Sequence, residues 1–173
     1  MLRNILVSSR SSKAYLPVFA VWLVVLSFVL VLQGCGKSVI SSSSGKRYGK
    51  ASGSTVVAKA RSQIGVRYKY GGTTPKTGFD CSGLIQWSYQ QCGVTVPRNT
   101  KQQAKAGKSV KKSQLKPGDI IVFRISSRSG LHTAVYSGNG KFIHSPSTGK
   151  RIREDKLNSD YWSRRYVTAR RIL

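Results

Sequence analysis

The chain is poor in negative charge. Only 5 residues are Asp or Glu against 30 Lys and Arg, and the formal net charge is +25. Carboxylates this few and scattered argue against a metal centre built on them. Histidine is scarcer still, with 2 in the whole chain, His132 and His144, and cysteine is limited to 3. No C-x-x-C, H-x-x-x-H or H-E-x-x-H spacing occurs, so zinc on Cys81, His132 and His144 stays a chemical alternative without a recognised ligand pattern. No internal repeat and no nucleic-acid-binding motif is present. The positive balance predicts attraction to polyanions: nucleic acid, anionic lipid or an acidic wall polymer.

What is present begins with an export signal. Arg3, Arg10 and Lys13 precede an apolar run from Ala14 to Leu32, interrupted by Pro17 and Ser27. A basic start followed by an apolar stretch and a small residue describes a secretory leader. The run ends at Leu32-Gln33-Gly34-Cys35, which resembles a bacterial lipobox, with Cys35 the residue to be lipidated. An uncleaved anchor is the other reading, because about 19 apolar residues just span a bilayer. Both readings tether the remainder to a membrane outside the cytoplasm. Residues 1–34 are then the signal peptide. Residues 35–53, rich in Ser, Gly and Lys, form a flexible tether with almost nothing to bury. Residues 54–173 are the folded domain, long enough for one core without disulfide support.

Within the domain, Val56, Val57, Ala60 and Ile64 recur at helical spacing, with Ser54 or Thr55 as cap and Gly65 as stop. After a turn-rich stretch, Asp80 is placed to cap a second helix whose stripe is Cys81, Ile85, Tyr89 and Cys92. Eleven residues along one helix would separate Cys81 from Cys92 by about 16 Å. That exceeds the roughly 7 Å a disulfide tolerates, so Cys92 reads as a buried apolar residue. Thr100-Lys101-Gln102-Gln103 suggests a capping box on a short helix ending at Gly107. From Lys116 onward the pattern changes to strands. Ile120–Phe123 reads as a buried strand, and His132–Tyr136 and Lys141–His144 flank the hairpin signal Gly138-Asn139-Gly140. Further strands are expected over Lys150–Arg153 and Tyr166–Ile172. Helices first and sheet second make an α+β domain.

Cys81 is the residue with chemical promise. In the first turn of a helix its sulfur faces the positive end of the dipole, which favours thiolate. Small neighbours Ser82 and Gly83 leave room for a substrate backbone, and N–H groups at a helix start suit an oxyanion. A buried structural cysteine is the competing reading. The two histidines fall on opposite arms of one hairpin, and an even pairing register would set both rings on one face. One imidazole could then serve Cys81 while the other orients it.

The runs Asp80-Cys81-Ser82-Gly83, Pro117-Gly118-Asp119-Ile120-Ile121-Val122-Phe123, His132-Thr133-Ala134-Val135-Tyr136 and Gly140-Lys141-Phe142-Ile143-His144 together resemble the NlpC-type peptidases. These are papain-like bacterial cell-wall hydrolases. Tyr161-Trp162 and Ala169-Arg170-Arg171-Ile172-Leu173 resemble the lipoprotein branch, and the likeness spans residues 54–173. It implies a papain-like fold, with Cys81 as nucleophile, His132 as general base and acid, and His144 orienting His132. Tyr68, in Tyr68-Lys69-Tyr70-Gly71-Gly72, matches a tyrosine that lines the site and assists the oxyanion; a packing aromatic is the alternative. Thr133-Ala134 departs from the Val-Gly usual in relatives.

The resemblance implies hydrolysis of an amide in peptidoglycan, without cofactor or metal. The favoured bond is the diaminopimelate to D-Ala cross-link, with the D-iso-Glu to diaminopimelate bond as alternative. A non-catalytic, basic envelope-binding lipoprotein is the competing class. The expected setting is a monomer on a lipid anchor, with peptidoglycan as partner and nucleic acid as none. Gly36 stands where inner-membrane lipoproteins carry Asp, which points to the outer membrane, facing the periplasm.

Overall fold

The computed structural model describes residues 51–126 and 130–173. The apolar leader, Cys35, Gly36 and the tether up to residue 50 lie outside the described residues. Helix α1 (Gly53–Arg61) buries Val56, Val57 and Ala60. Its cap is Ser52, earlier than the Ser54 or Thr55 that the sequence suggests. Ser52 and Thr55 satisfy one another reciprocally: each side-chain oxygen accepts the other's backbone N–H, at 3.3 and 3.1 Å. The helix ends before Ile64, which is therefore exposed rather than part of the apolar stripe.

A two-residue hairpin, β1 (Thr73–Thr74) with β2 (Gly78–Phe79), leads into α2 (Cys81–Gln90). Asp80 caps α2 and Ile85 and Tyr89 are buried, as the stripe predicts. Cys92, just past the helix, is buried, and both described cysteines are free thiols. Helix α3 (Thr100–Gln103) is one turn long and is capped by Asn99, not Thr100. Asn99 Oδ1 accepts the N–H of Gln102, while its amide donates to the Gln102 side chain.

The remaining strands are β3 (Lys108–Val110), β4 (Ile120–Ser126), β5 (Gly130–Gly138), β6 (Lys141–His144), β7 (Arg153–Lys156) and β8 (Tyr166–Arg171). They form an antiparallel sheet of 6 strands in the order β3-β8-β4-β5-β6-β7. The expected strand over Lys150–Arg153 is displaced to β7. Its first part turns away to the loop after α1: Ile152 donates to Val66 and accepts from Gly65. The architecture is α+β and papain-like, with N-terminal helices packed on an antiparallel sheet.

Alternation along the strands builds two cores. Ile120, Val135 and Ile143 pack on α1 and α2 through Val56, Ala60, Leu84 and Ile85. Ile121, Phe123, Ala134 and Phe142 face the other way and are covered by Leu157 and by Trp162 of α4 (Asp160–Ser163). Val135 pairs with Ile143 and Tyr136 with Phe142 before a bulge at the hairpin end. This is the even register. It sets His132 and His144 on the same side as Ala134 and Phe142, on the Trp162 face.

Candidate active site

The start of α2 is clamped from several directions. Asp80 Oδ1 accepts the N–H of Gly83 at 2.7 Å, and Arg98 grips both carboxylate oxygens at 3.0 and 2.7 Å. The N–H of Gly71 adds a further bond to Asp80 at 3.0 Å. Gly83 is required here, because a Cβ would lie 2.1 Å from the carbonyl oxygen of Gly72. Gln103 is wholly buried and donates both amide hydrogens, to Ser82 O at 3.0 Å and Pro97 O at 2.8 Å. Its Oε1 accepts the Thr133 hydroxyl at 2.9 Å, tying the helix start to β5.

Cys81 is partly exposed at this junction, with the backbone N–H groups of Thr133 and Ser82 directed at its sulfur. Burial pushes the thiol above its ordinary pKa and nearby Asp80 adds to the rise, while those N–H groups and the Thr133 side chain oppose it. Burial and the Asp80 charge thus work against the thiolate that the helix start favours. Desolvation of the charged form exceeds the help from the helix terminus, and the cap residue is itself an anion.

The two histidines meet as the register requires: His132 Nε2 lies 2.9 Å from His144 Nδ1. Both are buried, at 2% and 0% exposure. Burial and the neighbouring His144 push His132 down to about 3, against a smaller pull from Asp155. His144 is likewise lowered by burial, with Asp155 opposing. The site at rest thus holds a neutral thiol and neutral imidazoles. Tyr68 is half-buried and close enough to Cys81 for that sulfur's charge, after desolvation, to raise its phenol pKa.

Asp155, which the sequence does not single out, and Trp162, named above only for its likeness to the lipoprotein branch, complete the constellation. Asp155 Oδ2 lies 3.0 Å from His144 Nε2. The same oxygen accepts from Trp162 Nε1 at 3.1 Å and from Arg153 at 3.0 Å. The His144 bond, followed by Arg153, holds the Asp155 carboxyl well below the usual range. Trp162 closes the face: its ring stacks on His132 and meets His144 edge-on at 5.0 Å. Asp155 lies past the expected strand Lys150–Arg153, on β7, and no local pattern in the sequence points to it. A groove of about 570 Å³ opens beside His132 and is lined by Lys150, Arg153, Lys156, Ile125 and Tyr161 among others. Among the described residues, no group of three or more His, Cys, Asp or Glu is placed to hold a metal ion.

A helix-borne thiol set against histidines on an antiparallel sheet is the layout of papain-like thiol hydrolases. The sequence profile of the NlpC/P60 family matches residues 65–171, and the chain belongs to that family. It is 44% identical over 119 residues to murein DD-endopeptidase MepH of Escherichia coli K12, covering 66% of this chain and 44% of that protein. Gamma-DL-glutamyl hydrolase of Bacillus subtilis is 42% identical over 120 residues, covering 68% of this chain and 29% of the relative. Murein DD-endopeptidase MepS/murein LD-carboxypeptidase of E. coli K12 is 44% identical over 110 residues, with 63% and 57% covered. The chain thus spans between about a third and three fifths of these relatives' lengths. Among solved structures, an NlpC/P60 family protein from Bacillus cereus superposes with TM-score 0.66 at 32% identity, covering 72% of this chain and 41% of that one. The NlpC/p60 domain of peptidoglycan hydrolase SagA gives TM-score 0.61 at 31% identity, over 70% of this chain and 100% of that domain.

Proposed function

We propose that this chain is a cysteine peptidase that hydrolyses an amide bond in the peptide part of peptidoglycan. The observation carrying the proposal is the pair of imidazoles, 2.9 Å apart on the adjacent strands β5 and β6, with Thr133 of β5 directed at the Cys81 sulfur. Cys81 is the nucleophile, His132 the base and acid, and His144 the group that orients His132. Because thiol and imidazole rest neutral, the proton leaves sulfur as it attacks. The S–C bond forms, the proton passes to His132, and the oxyanion is held by backbone N–H groups at the start of α2, with Tyr68 assisting. His132 then protonates the leaving amine as the C–N bond breaks. Water, deprotonated by His132, cleaves the thioester to give a carboxylate and restore the thiol.

The favoured bond is the diaminopimelate to D-Ala cross-link, supported by the likeness to two DD-endopeptidases. Cleavage between D-iso-Glu and diaminopimelate is the second reading. It is favoured by 37% identity over 120 residues to the bifunctional muramidase/DL-endopeptidase CwlT of Bacillus subtilis. Lys150, Arg153 and Lys156 along the groove suit the carboxylates of either substrate. Lipidation at Cys35, with Gly36 following, would hold the enzyme at the outer membrane facing the periplasm.

The test is digestion of purified sacculi by full-length protein in detergent, wild type against Cys81→Ala, with mass spectrometry of the fragments. Loss of cross-linked dimers selects the cross-link bond, and loss of intact stems selects the D-iso-Glu bond. No digestion by wild type, with binding retained, would leave the envelope-binding lipoprotein as the function. Equal digestion by both proteins would remove Cys81 from the mechanism.

A further inference from the structure

We infer that Asp155 is a positioning residue that sets the tautomers of both histidines and thereby selects His132 Nδ1 as the catalytic base. The inference rests on the peptidase reading of the site and adds a fourth member to it. Asp155, Arg153 and His144 come together because β6 and β7 pair with Phe142 opposite Asp155 and His144 opposite Arg153. These four residues share one face of the sheet, so the carboxylate reaches His144 diagonally across the pair.

Asp155 is ionised and can only accept. Its Oδ2 therefore takes the proton-bearing Nε2 of His144, 3.0 Å away. A neutral His144 then has a bare Nδ1, which can only accept. The facing atom, His132 Nε2 at 2.9 Å, must donate. A neutral His132 with its proton on Nε2 has one free lone pair, on Nδ1, and that nitrogen is left to take the Cys81 proton. When it does, the charge on His132 is stabilised through His144 toward Asp155.

The surroundings favour this order. Arg153 binds both carboxylate oxygens, through Nε at 3.0 and 3.1 Å, and Trp162 Nε1 binds Oδ2, so Asp155 cannot rotate without losing partners. The other charged or titratable groups near the rings are Lys150, Lys156 and Tyr161 along the groove and, from α2, Cys81 with Asp80 behind it. None of the bonds recorded for these groups reaches either ring. In Asp155→Asn an amide NH2 turned toward Nε2 can only donate there, so the His144 N–H loses its acceptor. His144 then relieves itself by moving its proton to Nδ1, which forces His132 to accept and places a proton on the nitrogen meant to be the base. The wrong tautomer is inactive although the fold is intact.

The test uses full-length protein in detergent with Asp155→Asn and Asp155→Glu. Two readouts are followed against pH: cleavage of sacculi, and alkylation of Cys81 by iodoacetamide, which needs no substrate. Expected for folded Asp155→Asn is a fall of about 10²- to 10⁴-fold in cleavage at neutral pH, with the alkylation profile displaced toward alkaline pH. Asp155→Glu should recover part of both. A carboxylate that only braced the fold would lower the folded fraction and leave the alkylation profile in place. Nitrogen NMR of the wild-type imidazoles tests the tautomers without any variant, and a His132 protonated on Nδ1 would overturn the inference. So would a folded Asp155→Asn with both profiles unchanged. A wild type that fails to cut sacculi yet shows the predicted tautomers and alkylation shift would refute the substrate reading and leave the role of Asp155 standing.

Discussion

The imidazole of His132 lies against the indole of Trp162, with ring centroids 5.6 Å apart and planes 26° from parallel. The same indole is packed on Phe123 at 4.7 Å and Phe142 at 5.2 Å. One side chain therefore serves as core and as the wall that keeps water from both histidines. Its Nε1 additionally binds Asp155, so packing and polar anchoring can be separated by substitution.

Trp162→Ala should open a cavity in this second core and cost about 3–5 kcal/mol. Trp162→Phe keeps most of the apolar contact and loses the Nε1 bond, for a cost nearer 1–2 kcal/mol. Urea unfolding measures both, and equal costs would show that the indole N–H carries the stability. Activity of Trp162→Phe on sacculi should fall less than that of Trp162→Ala once each is compared at equal folded fraction.

Gln103 and Thr133 carry a second prediction. Every polar atom of the Gln103 side chain is bonded, so Gln103→Leu takes this partner from the Pro97 carbonyl and the Thr133 hydroxyl and breaks the tie to Ser82, whose carbonyl keeps its place in the α2 ladder. A loss of about 2–4 kcal/mol is expected, since each orphaned buried group costs about 1–3 kcal/mol. Thr133→Val should cost about 1–2 kcal/mol by leaving Gln103 Oε1 unpaired. A Thr133→Val protein as stable as wild type would mean that Oε1 finds another donor.

These two networks mark where sequence reading succeeds and where it stops. The stripe of Cys81, Ile85 and Tyr89 behind Asp80 was legible because helical period and cap chemistry are local. So was the hairpin at Gly138-Asn139-Gly140, where positive φ at all three positions needs residues of this type. The register was not legible. It depends on a bulge between Tyr136 and Gly138, and one residue of slip would separate the histidines. Asp155 was missed for a related reason. Its partner His144 lies on the neighbouring strand, and the turn between them is diverted by bonds from Gly65 and Val66 to Ile152 that no local pattern announces. The burial of Cys81 was not legible either, because helix position can be read from sequence but the degree of burial cannot.

The neutral resting site predicts a spectroscopic result. A thiolate–imidazolium pair would give thiolate absorbance in the far ultraviolet at neutral pH. With burial and Asp80 raising the Cys81 thiol and burial lowering His132, that absorbance should be missing at neutral pH. The difference spectrum between wild type and Cys81→Ala should rise only above the ordinary thiol range. A thiolate signal at pH near 7 would show that the helix terminus overcomes burial after all.

Stability against pH follows from the same groups. His132 and His144 have folded pKa values below the ordinary histidine value of about 6.5. Below that pH the unfolded chain binds protons that the folded chain refuses, so stability falls as pH drops. Above it neither state binds them and the contribution is flat. Asp155 acts in the same sense at lower pH. Its folded pKa is depressed by His144 and Arg153, so its contribution is full above about pH 4 and is lost on further acidification. Urea midpoints should therefore hold steady from about pH 8 to 7 and decline from about pH 6.5 downward. In His144→Gln, which removes one refused proton and the bond to Asp155, the decline should be shallower at both stages. A decline of equal slope in wild type and His144→Gln would show that other groups govern the acid limb.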